Sequence, residues 1–180
     1  MISFIEFIKE AQQFTSASTS INSSKLPKGY SAVGKHIGWK EGTTHLDIGG
    51  GRFDNAVEHL KKFGVNGFVY DPYNRSQEHN QNALQNAGNG QAHTVSLFNV
   101  LNVIQEPDQH IEALKLAHTS LRPSGELYIG VYEGDKSGVG RQTGKDSYQR
   151  NEKLETYLPT VQQVFPNARL HKGIIVATKE

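Results

Sequence analysis

The sequence predicts an α/β fold in three layers, with a mostly parallel central sheet covered by helices on both faces. Three observations carry this reading. From Thr44 onward, short apolar runs alternate with segments of helical periodicity, the pattern of repeated strand-helix units. The run HLDI ends in three consecutive glycines, Gly49, Gly50 and Gly51, directly before an amphipathic segment. The later run HTVSLFNVLNVI is too continuously apolar for an edge strand and suits one buried on both faces.

The elements follow in order. Ile2, Phe4, Ile5, Ile8 and Phe14 recur at helical spacing, which predicts an amphipathic helix over residues 3–14. Residues 15–31 are rich in Ser and Thr and carry Pro27 and Gly29, so a long loop is expected there. A single domain is expected, with an N-terminal helix and loop over 1–35 and the core over 36–180. After the glycines, Phe53, Val57, Leu60 and Phe63 are expected on one helical face, ended by Gly64. GFVYDPY reads as a second strand stopped at Asp71-Pro72, and SQEHNQNALQNAG as a polar helix burying Ala83, Leu84 and Ala87. The strand within HTVSLFNVLNVI follows, beginning near Thr94. EPDQHIEALKLAHTSLRPSG then reads as a helix with Ile111, Leu114, Leu116 and Leu121 inward, and GELYIGVYEGD as a further buried strand. A polar, glycine-rich loop over 134–147 leads to a helix near Asn151–Phe165 and a final strand or hairpin through ARLHKGIIVATK, where antiparallel pairing is allowed.

Bulk properties narrow the function classes. The 180 residues suit one domain, since domains commonly run to about 100–200 residues. A net charge of +1 sets up no field that would mark a nucleic-acid binder or a protein drawn to anionic membranes. The chain has no Cys, which excludes a thiolate nucleophile, a disulfide framework and Cys-ligated metal centres. Eight His are scattered singly, none with metal-ligand spacing on a helix, so no metal is expected. The opening MISFIEFIKEAQQF resembles neither a signal peptide nor a membrane span, and a cytoplasmic protein is the default expectation.

The glycine triplet carries the chemistry. Glycines after a strand allow a tight turn and close backbone approach to a ligand, while the next helix offers unpaired N–H groups. Asp71 ends the next strand some 20 residues further on, where a carboxylate can accept hydrogen bonds from ribose hydroxyls. The alternative is a turn or capping role before Pro72. Phe53 and Asp54 stand where the G-x-G-x-x-G spacing would need a small residue, which disfavours a dinucleotide.

The segment LDIGGGRFD, from Leu46 to Asp54, resembles the first motif of the class I S-adenosylmethionine-dependent methyltransferases. The resemblance continues in the family's order through YDPY, FNVLN and LRPSGELYIGVYEGD, over roughly residues 44–135. It implies a Rossmann-like fold that binds S-adenosyl-L-methionine. By that resemblance Asp47, Gly49, Gly50 and Gly51 would lie against the methionine part, Asp71 would hold the ribose, Pro72 and Tyr73 would flank the adenine, and Asn99 would stand beside the sulfonium. Between Ala87 and Thr94 there is room for a turn but not for the family's usual strand and helix, so the sheet should be abbreviated relative to the usual seven strands. The resemblance also points to a small branch seen in phage and bacterial genomes.

For the reaction itself, Asn99, Glu133 and Asp135 are the catalytic candidates; either carboxylate could take a proton from an attacking hydroxyl or amine. Solvated loop carboxylates are the alternative for Glu133 and Asp135. FNVLN lacks the Asn/Asp-Pro-Pro-aromatic motif of amino-methylating DNA enzymes. Lys136, Arg141, Lys145, Arg150 and Tyr148 give the loop after them the composition to fold around an anionic or nucleic-acid substrate. The expected function is therefore methyl transfer to a small molecule or a nucleic acid. Two alternatives stay open: a non-catalytic protein of this fold that binds a macromolecular partner, and an enzyme that degrades S-adenosylmethionine.

Overall fold

The protein's structure, a computed structural model, describes residues 13–16 and 25–180. The helix expected over residues 3–14 lies outside the described residues apart from Gln13 and Phe14, whose backbone is not helical. In chain order the elements are α1 (Lys28–His36), β1 (Thr44–Ile48), α2 (Asn55–Lys61), β2 (Asn66–Tyr70), α3 (Gln77–Asn86), β3 (Ala92–Phe98) and a 3-10 turn (Leu101–Val103). There follow α4 (Pro107–Ser120), β4 (Leu121–Gly130), the short strands β5 (Arg141–Gln142) and β6 (Tyr148–Gln149), a second 3-10 turn (Leu154–Tyr157), α5 (Leu158–Gln162), β7 (Arg169–His171) and β8 (Ile174–Thr178).

The main sheet has six strands in the order β2-β1-β3-β4-β8-β7. The first four run parallel, β8 is antiparallel to β4, and β7 is antiparallel to β8. From β1 the chain moves first to β2 on one side and then to β3 on the other, so the strand order reverses at β1. In open α/β sheets this reversal leaves a crevice at the carboxyl ends, and the glycine turn follows the carboxyl end of β1. Only residues 87–91 separate α3 from β3, and no strand or helix is inserted there. The sheet is therefore abbreviated, as the spacing predicts, and among the described residues β2 is an edge.

Alternation along the strands divides the core between the two faces of the sheet. Leu127 and Ile129 join Leu97, Leu114, Val161 and Phe165 in one cluster, while Tyr128 between them joins Tyr30, Val33, Leu60, Phe98 and Val176 in the other. The second cluster explains the first departure from the sequence reading, in which the loop was expected to run through Ser31. KGYSAVGKH has poor intrinsic helix propensity, but Tyr30 and Val33 are fully buried, and tertiary packing overrides propensity. Gly29 is required by that packing, since a Cβ there would lie 2.3 Å from the Phe98 ring.

The structure departs from the sequence reading at three further places. The helix α4 stops at Ser120, because Leu121 already pairs with Ala92 and Ser124 N–H donates to Lys179 O. Phe63 lies beyond the end of α2 and is 42% exposed. The loop over 134–147 holds the β5–β6 hairpin, and Asn151 fastens it by donating to Val139 O and accepting, through its own carbonyl, from Gly138 N–H.

Leu97 is fully buried in β3, between β1 and β4. Leu97→Ala should therefore cost about 2–5 kcal/mol, through lost burial and the cavity left behind. Denaturant unfolding would read this as a lower midpoint at unchanged slope; a loss under about 1 kcal/mol would mean that the core collapses around the gap.

Candidate functional site

The turn after β1 is built by close approach. Gly49 and Gly51 have φ of +74° and +79°, and a Cβ on Gly49 would lie 2.6 Å from Val100 Cγ2. A Cβ on Gly50 would lie 2.4 Å from Asp47 Oδ2. A side chain at Gly49 or Gly50 would displace the turn, so the triplet has a steric reason that its sequence context only suggested.

Asp71 fixes this turn to the end of β2. It is 4% exposed, and its Oδ2 accepts from Gly51 N–H at 2.9 Å. Its Oδ1 accepts from Tyr73 N–H at 2.9 Å and Asn74 N–H at 3.0 Å. Arg75, which the sequence reading did not single out, grips the other side of the turn. Its Nε donates to Gly51 O at 2.7 Å, and its Nη2 reaches both Phe53 O and the Asp54 carboxylate. The expected ribose role and the expected turn role of Asp71 thus fall on one carboxylate, and the turn role is already filled.

Beneath the turn lies a buried polar chain. Ser96 Oγ donates to Asp47 Oδ1 at 2.7 Å, and His45 Nε2 is 2.9 Å from the same hydroxyl. Because the Ser96 proton is committed to Asp47, His45 Nε2 must be the donor, and His45 Nδ1 then accepts from Thr94 Oγ1 at 2.7 Å. Tyr30 OH, from α1, stands 3.3 Å from Ser96 Oγ. This arrangement satisfies a neutral imidazole, and burial pushes the His45 pKa down to about 3. Burial also pushes the Asp47 carboxyl up to about 6, against the opposing hydrogen bonds from Ser96 and Tyr30.

A cleft of about 340 Å³ opens at this end of the sheet. Asp47, Gly49, Gly50, Gly51, Asp71, Pro72, Tyr73 and Asn99 all line it. Asn99 follows β3 in the left-handed region at φ +58°, a conformation Asn tolerates better than most residues, and its N–H donates to Gly130 O. Glu133 and Asp135 are not among the lining residues. Glu133 Oε1 accepts from Leu154 N–H, its carboxylate pairs with Lys136, and these contacts hold its pKa low. Asp135 accepts from Ser137 N–H and pairs with Arg141. Both carboxylates thus organise the loop after β4 and do not face the cleft.

The loop also differs from the expected basic surface: Lys136, Arg141 and Arg150 each have a carboxylate partner, in Glu133, Asp135 and Glu152. Residues 14–16 lie against the same loop. Phe14 stacks on Tyr148 at 5.5 Å, and Ser16 N–H donates to Asp146 O at 2.8 Å. Asn102 and Gln149, two cleft-lining amides joined to each other, were missed, as was the chain Tyr30-His45-Ser96. The amide pair spans 47 positions and the Ser96–Asp47 bond spans 49, and no local pattern signals partners so far apart.

The fold and the glycine-turn cleft define the Rossmann-like methyltransferase class. A family model described as a methyltransferase domain matches residues 18–170, and the chain belongs to that family, the class I S-adenosylmethionine-dependent methyltransferases. No curated protein matches the chain. Among solved structures it is similar to a Burkholderia thailandensis 1,6-didemethyltoxoflavin-N1-methyltransferase, at 16% identity and a TM-score of 0.62, covering 99% of this chain and 87% of that one. It is similar to a SAM-dependent methyltransferase of Aquifex aeolicus at 14% identity and a TM-score of 0.54, covering 98% of each chain. A 16S rRNA methyltransferase of T. thermophilus, solved with AdoMet and guanosine, aligns at 14% identity and a TM-score of 0.53, over 89% of this chain and 45% of that one. The family's cofactor is S-adenosyl-L-methionine.

The buried chain gives a signed pH dependence. Asp47 binds its proton more tightly when folded, so its contribution to stability is present at low pH and is lost as pH rises through about 6. His45 does the opposite: its contribution is present at neutral pH and lost as pH falls from 6.5 towards about 3. Across about pH 4–6 the two slopes oppose each other. Of these two slopes only that of His45 remains in Asp47→Asn, so the variant should gain stability relative to the native protein by about 2 kcal/mol between pH 4 and pH 6, at 1.36 kcal/mol per pKa unit. Chemical unfolding at both pH values measures this; parallel stability curves would remove Asp47 as a titrating group in that range.

Proposed function

We propose that the protein transfers a methyl group from S-adenosyl-L-methionine to a small molecule, with Asp47, Gly49, Gly50, Gly51, Asp71, Pro72, Tyr73 and Asn99 forming the cofactor's half of the cleft. The observation that carries this reading is the Asp71 carboxylate, which holds the glycine turn and the Pro72-Tyr73 turn as one edge. Two further features fit the cofactor. The glycine turn is a cradle that a Cβ would fill, and the Tyr70 hydroxyl, buried and without a partner among the described residues, lines the cleft at the end of β2. Burial pushes that phenol up to about 12, so it keeps its proton and can donate.

In this reading Asp71 would accept from ribose hydroxyls with the oxygen lone pairs its backbone donors leave free, Pro72 and Tyr73 would flank the adenine, and Asp47 with the turn would face the methionine part. When bound, S-adenosyl-L-methionine supplies an electrophilic methyl group. The chain's own contribution is to fix the two reactants in line and to exclude water, which can supply much of the acceleration of a displacement. Asn99, directly after β3, also lines the cleft. Among the described residues Asp47 and Asp71 are the only carboxylates in the lining; Asp71 holds the turn and Asp47 is bonded to Ser96, while Glu133 and Asp135 stand outside the lining, so we assign no proton acceptor to them.

A small acceptor is favoured over a nucleic acid because Lys136, Arg141 and Arg150 are each paired with a carboxylate, which cancels most of the positive charge this loop could offer to phosphates. The volume of about 340 Å³ is near the lower end of small-molecule sites, roughly 300–1,000 Å³. The molecules named for the structural neighbours, 1,6-didemethyltoxoflavin and an rRNA, belong to different classes and select neither for this chain.

Isothermal titration with S-adenosylmethionine and S-adenosylhomocysteine tests the cofactor site. Asp71→Ala is a poor variant, because it strands three backbone N–H groups and would destabilise the turn itself. Asp71→Asn keeps one acceptor oxygen and loses the charge. It should weaken binding at least tenfold, since a charge-assisted bond contributes about 1.5–3 kcal/mol. Equal affinity in the folded variant would refute the ribose assignment, and no binding by the native protein would leave the macromolecule-binding reading in its place.

A further inference from the structure

The cleft has a second half, reached from the first by crossing Asn99. The glycine turn and Asp71 follow β1 and β2, whereas Asn102, Tyr132 and Gln149 follow β3 and β4 or return beside them on β6. Main-chain bonding joins these segments, with Arg150 N–H donating to Asn102 O at 2.9 Å. Asn102 is 2% exposed and Gln149 is 8% exposed.

Their amides are oriented by elimination. Tyr132 O is a carbonyl and can only accept, so Gln149 must present its Nε2 there, at 2.8 Å. Gln149 Oε1 then faces Asn102 and accepts from Asn102 Nδ2 at 3.1 Å. Asn102 therefore has no freedom to flip, and its Oδ1 is left buried with no partner among the described residues. A buried acceptor without a donor is disfavoured, and such groups in native structures call for an explanation. The cleft lining beside it is apolar or neutral, including Phe98, Val103 and Ile104; the nearby Arg150, whose guanidinium donates to Gln105 O, is paired with Glu152 and is not part of the lining, where among the described residues the only cation is the exposed Lys25.

We propose that this half binds an uncharged small molecule carrying an N–H donor, that Asn102 Oδ1 accepts that hydrogen bond, and that Gln149 is the positioning residue that keeps the oxygen turned to the ligand. The inference rests on the methyltransferase reading above and names the acceptor class for it. A ligand with an ammonium or a phosphate would find no free counter-charge beside Asn102. A ligand lacking a donor would leave Oδ1 as it is in the free protein.

The test is a matched pair of probes, quinolin-2-one and its N-methyl derivative, titrated by ligand-observed NMR into protein saturated with S-adenosylhomocysteine. The native protein should bind the N–H form roughly tenfold more tightly, the scale of one buried hydrogen bond. In Asn102→Leu the preference should vanish while S-adenosylhomocysteine affinity stays unchanged, because Asn102 lies outside the cofactor half. In Gln149→Leu, which frees the Asn102 amide to rotate, the preference should fall to a few-fold. If the native protein does not bind S-adenosylhomocysteine, the methyltransferase reading and this proposal fail together. If it does, but the two probes bind equally or not at all, or the preference survives in Asn102→Leu, only the Asn102 site is overturned.

Discussion

The architecture of the cleft depends on one carboxylate. Asp71 accepts backbone donors from its own turn and from the glycine turn of the neighbouring strand, so the ends of β1 and β2 cannot move independently. Its burial would be costly for a charge with no partners, but hydrogen bonds from fixed N–H groups offset that cost. Arg75 adds the complementary grip on the carbonyls of the same turn and on Asp54, so donors and acceptors of the loop are both held. A turn fixed in this way is preorganised, and a ligand that meets it spends little of its binding energy on ordering the loop.

Asp47, the next-to-last residue of β1, is bonded towards the interior instead. It is buried, and the chain through Ser96, His45 and Tyr30 carries its influence across β3 to α1. Networks of this kind are stabilising only when every member is satisfied, which here requires a neutral His45 and the tautomer that donates from Nε2. The same chain gives α1 a polar anchor to complement its apolar contacts with Phe98 and Trp39. That helix is consequently built into the core on one face of the sheet, although its sequence alone reads as a loop.

Those two carboxylates mark what the sequence made legible. The glycine triplet, Asp47, Asp71, Pro72, Tyr73 and Asn99 form a linear pattern in a fixed order, and all line one cleft; the missing strand was visible as a shortage of residues between Ala87 and Thr94. Roles that depend on distant partners were not legible. Glu133 and Asp135 follow a strand at the edge where a substrate was expected, yet Glu133 is taken up by the N–H of Leu154, 21 positions on, and Asp135 by Arg141. Asn102 looked like one more polar residue after a strand, and only the return of the chain at Gln149 gives its amide a direction. Helix α1 failed in the same way, because Tyr30 and Val33 form a helical stripe only once Phe98 and Tyr128 are there to cover it.

The abbreviated sheet raises a physical question that the structure also answers. With nothing paired outside β2 among the described residues, its outward backbone groups face no ladder, and an edge that frays would loosen the carboxylate at its end. Side chains of α3 take the place of a neighbouring strand. His79 Nε2 donates to Val69 O at 2.9 Å. Asn80 Oδ1 accepts from Asp71 N–H at 3.0 Å, and Asn80 Nδ2 donates to Asp71 O at 2.9 Å, so one buried side-chain amide pairs with the residue as a backbone peptide would. Asp71 is therefore held through its carboxylate on the side of the glycine turn and through its main chain on the side where a strand is missing. Loss of the outer strand has been absorbed without giving up the rigidity that the cleft requires, and the helix that follows β2 supplies the means.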